Sequence, residues 1–332
     1  MFDHFNKSFL SAAALALSCL LLYAAGGACA ADRLVGLHSA QVMSQSMPWI
    51  AQEAGLFKKY DLDFRLVFIP SSPVATAATL NGDAEVALTG AIGNVRAYVQ
   101  GFTDLVFIGG VKNIMTHSIL AKPEIKRPED LKGKKIAVGR FGGNTHYFTI
   151  QALRRFGMDA SRDVQTIQTG GGPETLAALV GGSVDAAGLV APGDASAASR
   201  GFRYVIHGPE LRIPYGATSL VTLRSLIAKR GPVIGRFMRV MAEAAQILHT
   251  DKNFVYKVLG KYLRVTDTKI LDSAYQSEIP ALERRLEIHE PALQASLDEI
   301  AALDPRAKSV KPQELIDRRY LVELEKSGAF EK

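Results

Sequence analysis

The chain has 332 residues, 48% of them hydrophobic and 22% charged, which is the make-up of a folded globular protein, and it shows no low-complexity tract and no solenoid repeat. A formal net charge of +6 and a pI near 9.2 would raise nucleic acid as a partner of a cytosolic protein, but the first residues argue for export and so against that partner. The only cysteines are Cys19 and Cys29, so removal of the first 30 residues excludes disulfides, thiolate metal sites and cysteine nucleophiles from the remainder.

Lys7 precedes an apolar run from Phe9 to Ala25, and Ala28, Cys29 and Ala30 form a small-residue cleavage site. Residues 1–30 are therefore expected to be a signal peptide cleaved after Ala30, with the mature protein in the periplasm. The alternatives are an uncleaved anchor or a lipid on Cys29. No later segment approaches the roughly 18 uninterrupted apolar residues of a membrane span.

A first strand is expected from Arg33 to Leu37, and a polar loop, His38 to Ser46, runs from its end into a helix near Pro48 that stops at Gly55. Leu62 to Phe68 reads as a strand, Pro73 opens a helix, and Glu85 to Leu88 returns as a strand. Thr89, Gly90 and Ala91 then start a helix through Tyr98, before a strand from Leu105 to Val111. Ile114 to Ala121 reads as an extended crossover. Beyond it the same grammar restarts: strand Lys135 to Val138, a glycine turn from Gly139 to Gly143, and a helix opened by Asn144 or Thr145 and ended at Gly157. Val164 to Gln168, the turn Gly170 to Gly172, a helix opened by Pro173 and ended by Gly181 and Gly182, and the strands Val184 to Leu189 and Phe202 to Ile206 complete it. Ala217 to Leu223 is a returning strand. The apolar stripe Val233, Phe237, Val240, Met241, Ala244 and Leu248 marks a helix over Pro232 to Leu248, and Asp251 and Asp267 cap the next two.

This alternation predicts an α/β fold of open, mostly parallel sheets covered by helices. Two crossings between two βα sets predict two lobes joined by a two-strand hinge: residues 31–115 with 216–332 form lobe 1, and residues 116–215 form lobe 2. Ligands in such sheets gather outside the carboxyl ends of the strands.

Enzymatic motifs do not emerge. Gly133-Lys134 and Gly260-Lys261 lack the glycine five residues upstream that a phosphate-binding P-loop needs, and Gly181 to Asp185 departs from a nucleophile elbow at its last position. The histidines after residue 30 are never three or four apart, so there is no local metal motif. No catalytic residue, metal ligand or cofactor is assigned.

The segment from Pro48 to Phe64, PWIAQEAGLFKKYDLDF, resembles the opening of the periplasmic substrate-binding proteins of nitrate, sulfonate and taurine importers, a family that includes the thiamine-pyrimidine-precursor (NMT1/THI5-like) binding proteins. Leu80 to Ala87, Asp130 to Val138, Leu176 to Ala187 and Leu315 to Leu321 are similar to later family motifs. The resemblance implies a two-lobed type II binding protein, a monomer, that takes a small solute such as a sulfonate, a taurine-like acid or an aromatic carboxylate and delivers it to an ABC permease and ATPase in the inner membrane. Its alternatives are an enzyme of the same fold acting on a pyrimidine or small aromatic acid, and a periplasmic sensor.

By the same resemblance the ligand is held by the loop His38 to Ser46, with Ser39, Ser44 and Gln45 as contacts; by Thr89, Gly90 and Ala91; and by Arg140 to His146. Gly142 and Gly143 let backbone N–H groups approach an anion, and Asn144 and Thr145 either add contacts at the positive helix end or serve only as caps. Arg140 either gives full charge to the ligand or is tied to Asp163 or Glu174. Pro192, with Gly193, is a candidate far wall, and Gly170 to Gly172 either line the site or merely connect. If two of Trp49, Phe141 and Tyr147 face the cleft, an aromatic or alkyl-bearing acid fits better than nitrate.

Overall fold

The structure, a computed structural model, describes residues 31–331. The expected signal segment and its cleavage site lie outside the described residues. Among these residues the strands are β1 (Asp32–His38), β2 (Leu62–Phe68), β3 (Val86–Thr89), β4 (Leu105–Ile114), β5 (Ser118–Ala121), β6 (Lys135–Val138), β7 (Gln165–Gln168), β8 (Ala186–Leu189), β9 (Arg203–Ile206) and β10 (Pro214–Leu223). The helices that place the site are α1 (Met47–Glu53), α2 (Leu56–Lys59), α3 (Ser72–Leu80), α4 (Ala91–Val99), α5 (Asn144–Arg155), α6 (Gly172–Val180) and α7 (Gly193–Ala198). The C-terminal helices that matter below are α8 (Arg224–Thr250), α9 (Lys252–Leu263), α10 (Thr268–Glu278) and α11 (Glu290–Ala301).

Two five-stranded sheets result, ordered β2-β1-β3-β10-β4 and β7-β6-β8-β5-β9. In the first, β1 and β3 run parallel, with Gly36 beside Val86, and β10 is antiparallel to both β3 and β4. In the second, β6 is parallel to β7 and β8, while β5 is antiparallel to β8 and β9. Each sheet thus receives one reversed strand from a chain crossing, β5 on the way out and β10 on the way back. The crossings lie against each other: the Met115 N–H donates to the Ile213 carbonyl at 2.9 Å, and Pro214 pairs with Ile114.

Local chemistry explains the helix starts. Pro48, Pro73 and Pro173 each sit in a first turn, where a missing N–H costs nothing and φ is already helical. Asp251 and Asp267 cap as expected, accepting the Phe254 and Lys269 N–H groups. Helix α8 consists of two helical stretches that meet at a kink at Arg230, with φ −133° and ψ 31°, and the longer second stretch opens beside Pro232, as expected. Pro232 has no N–H for a preceding ladder, so it ends the short stretch from Arg224 and sits in the first turn of the next. The stripe from Val233 to Leu248 is buried, packing with Trp49, Ile50 and Phe57 on one face of the first sheet. The other main core joins Leu37, Val95 and Phe107 to Ile119, Phe148 and Ile206, and so runs through both sheets. Phe148 and Phe237 are wholly buried, each stabilising by about 1.5–3 kcal/mol.

Candidate ligand-binding cleft

A cavity of about 110 Å³ opens between the two sheets. Its walls come from three helix starts, Ser71 and Ser72 before α3, Gly143 to Thr145 at α5, and Gly171 to Pro173 at α6, and from the loop Ser39 to Gln45. The amides of Ser72, Asn144, Thr145 and Gly172 have no hydrogen-bond partner among the described residues. Converging helix N-termini with free N–H groups attract negative charge. Among the described residues no aspartate or glutamate lines this cavity, whereas Arg140 and Lys112 do.

Arg140 is tied to neither expected acid. Asp163 accepts from the Asp159 N–H and pairs with Arg162, while Glu174 accepts from the Gly171 N–H. The Arg140 guanidinium makes no ion pair among the described residues and borders the cavity from an exposed loop.

The loop after β1 is stiffened from within. The Gln45 side-chain oxygen accepts the Ser39 and Ala40 N–H groups at 2.8 and 2.9 Å, its amide donates to the Ser39 hydroxyl, and the Ser44 hydroxyl meets that of Thr218 at 2.8 Å. Ser39, Ser44 and Gln45 therefore line the cavity as one fixed wall. Ser71 is held at φ 96°, a conformation worth about 1–3 kcal/mol of strain for a non-glycine residue, and its buried hydroxyl has no partner among the described residues.

Thr89, Gly90 and Ala91 stand behind the wall. Thr89 and Ala91 are fully buried, and the Gly90 N–H donates to the Ser72 hydroxyl at 3.2 Å. Asn144 bridges the lobes: its amide donates to the Ala217 carbonyl at 2.8 Å, and its side-chain oxygen accepts from the Tyr215 hydroxyl at 2.8 Å and from Ser72 at 3.3 Å. A β-carbon on Gly90 would sit 1.9 Å from that oxygen, so glycine there makes room for a lobe contact. Gly142, at φ 74°, turns away and donates to His146. Gly170 to Gly172 are in the wall.

The aromatic condition is not met. Trp49 is buried in the core, stacked on Tyr262 at 5.1 Å; Tyr147 is buried against Tyr215 at 4.4 Å; and Phe141 is exposed against His146, outside the cavity wall. Phe68, at the end of β2, lines the cavity. Pro192 borders a second, adjoining cavity of about 220 Å³.

Sequence reasoning missed Lys112, His117, Ser71 and Thr218. Ser71 and Ser72 follow a strand and precede Pro73, the same strand-then-helix setting as Arg140 to Thr145, and were recoverable. Lys112 and His117 were not, because a lone basic residue in an apolar strand or crossover carries no spacing signal.

Burial sets the charge states. His117 is pushed down to about 3, first by desolvation and then by the Lys112 charge, so its ring is neutral at ordinary pH. Asp194, at the start of α7, is raised to about 6 chiefly by burial, opposed by the Ala195 N–H it accepts and reinforced by Glu278. Its folded value lies above that of an unfolded aspartate, so the fold binds the extra proton between about pH 4 and 6, and stability falls as pH rises through that window. Asp194→Asn is expected to remove this fall, raising stability at pH 7 by up to about 3 kcal/mol. Denaturant melts of both forms at pH 4 and pH 7 measure it; parallel pH profiles would contradict it.

Two α/β lobes with a cleft between them define a protein of the periplasmic-binding-protein fold. The chain belongs to the NMT1/THI5-like family, whose model matches residues 45–252. A protein from Bordetella bronchiseptica RB50 shares 19% identity, with TM-score 0.79 over 89% of this chain and 98% of its own. The alkanesulfonate-binding protein SsuA from Xanthomonas axonopodis pv. citri, bound to MOPS, also shares 19% identity, with TM-score 0.71 over 87% and 98% of the two chains. The desulfurization enzyme DSZB is similar at 13% identity, with TM-score 0.69 over 89% and 99%. No curated protein sequence matches this chain.

Proposed function

We propose that this chain is a solute-binding protein that captures a small organic anion between its lobes and presents it to an ABC permease and its ATPase. The observation that carries the reading is the cleft itself: among the described residues, three helix starts with free amides and an Arg140 without an ion pair surround a cavity with no carboxylate in its wall. The proposed lobes are residues 31–115 with 216–332 and residues 116–215, working as an exported monomer after cleavage behind Ala30. The alkanesulfonate-binding neighbour has the same fold, which supports a binding role; the desulfurization enzyme has it too, so fold alone favours neither. Ser39, Ser44, Gln45, Arg140, Gly143, Asn144 and Thr145 are the proposed ligand contacts. Thr89, Gly90, Ala91 and Gly142 support them from behind, and Pro192 extends the site.

Calorimetry of the mature protein with sulfonates, carboxylates and nitrate tests the reading. One anion class should bind without being consumed; turnover of the bound compound would replace transport with catalysis. Arg140→Ala should weaken that binding about tenfold, a loss of about 1.4 kcal/mol, and should lessen its salt dependence. Unchanged affinity would remove Arg140 from the site.

A further inference from the structure

The cavity at the helix starts adjoins the second one, of about 220 Å³, and the two share a throat formed by His117, Gln41, Val42, Thr145 and Pro173. Among the described residues the second chamber has no charged residue in its wall; Leu176, Leu189, Val190 and Pro192 from the second sheet's side face Leu263 and Val265 from the end of α9. An anion end and an apolar end therefore meet at His117.

His117 is 6% exposed, lies on the outgoing chain crossing and borders both chambers. Its ring rests on Phe148 at 5.7 Å, and its Nδ1 is buried without a hydrogen-bond partner among the described residues. Leaving a buried polar group unpaired costs about 1–3 kcal/mol, which a ligand group would recover where its binding widens the throat enough to reach the ring. A neutral imidazole offers one donor and one acceptor, which suits an uncharged polar group and not a second charge.

Resting on the anion-binding reading above, we propose that His117 is the specificity-determining residue of a two-chamber site: the ligand is an acid whose anionic head sits at the helix starts, whose apolar tail fills the second chamber, and whose middle carries a hydroxyl or amide that hydrogen-bonds His117.

The test compares probes of equal length by calorimetry: N-butanoyltaurine against heptane-1-sulfonate, and N-butanoyl-β-alanine against octanoate. The unaltered protein should bind the amide-bearing member of at least one pair about tenfold or more tighter, because a site built for a hydrogen bond rejects the analogue that lacks it. His117→Phe should bring that ratio to about one, and His117→Gln, which keeps a donor and an acceptor, should preserve most of it. Equal binding within each pair by the unaltered protein, the result expected if a water satisfies His117, would overturn the role of His117 while leaving the anion reading standing. Absence of binding by all four acids would overturn the anion reading and this inference with it. A ratio unchanged in His117→Phe would assign the selectivity to another residue.

Discussion

Replacing Lys112 with methionine is expected to destabilise the protein by about 3–5 kcal/mol, the usual cost of stranding one member of a buried ion pair. Lys112 rises from β4 and Glu278 ends α10, and both side chains are all but inaccessible, at 2% and 1% exposure. The Lys112 ammonium donates to Glu278 at 2.7 Å and to the Thr116 hydroxyl at 2.8 Å, and Thr116 in turn donates to Glu278. Each charge is thus hydrogen-bonded as well as paired, the arrangement that makes burial of two charges tolerable. Removing one leaves a bare carboxylate in a dry site. Removing both, as Lys112→Met with Glu278→Leu, should restore most of the loss, since an apolar pair of similar volume is often neutral or better. A double-mutant cycle from denaturant unfolding reads the coupling directly. A Lys112→Met protein within about 1 kcal/mol of the native one would mean that water reaches Glu278.

Gly90→Ala is expected to weaken ligand binding by about thirtyfold to a hundredfold. Its β-carbon would occupy the place of the Asn144 side-chain oxygen, 1.9 Å away, and Asn144 would lose its bonds to Ala217, Tyr215 and Ser72. At about 0.5–1.5 kcal/mol for each hydrogen bond, the juxtaposed lobes lose roughly 2–3 kcal/mol, and the proposed capture of ligand between the lobes draws on that juxtaposition. The damage should depend on Asn144: in an Asn144→Ala background, Gly90→Ala should add almost nothing. Calorimetry of the four proteins, with small-angle scattering to follow the lobes, decides it. An equal penalty in both backgrounds would place the fault in β3 and α4 rather than between the lobes.

Much of this architecture was legible in the chain. Short apolar strands followed by glycine turns and proline-led helices marked both sheets, because strand burial and helix initiation are local demands on residue type. The crossings were legible as extended runs outside that alternation, and the Val233 to Leu248 stripe because a helix half-buried on a sheet must repeat its apolar residues. The short helical stretch from Arg224 to the break at Arg230 was not, since Pro232 marks a helix start and says nothing of a helix before it. In the site, the family resemblance pointed to Ser39 to Gln45 and Arg140 to Thr145, each a loop after a strand and before a helix. Which residues stand in the wall and which stand behind it depends on lobe packing: Gly90 lies under Asn144, and Trp49 lies under Tyr262. Those contacts join residues about 50 and 200 positions apart, beyond the reach of any local pattern.

If the lobes swing as the proposed capture requires, the paired crossings also order its events. Two strands lying side by side, tied at Met115 and Ile213, form an axle, and points near an axle travel little when the bodies on it swing. His117 lies on that axle and Lys112 just before it, whereas Arg140, Asn144 and Gly172 ride at the end of an arm. A solute arriving in the open state would meet the stationary groups first and the travelling ones last. Arrival and escape are then governed by different residues: changes on the arm, such as Arg140→Ala, should act mainly on the dissociation rate in stopped-flow measurements, and an effect confined to the association rate would show that the arm is already in place when the solute lands.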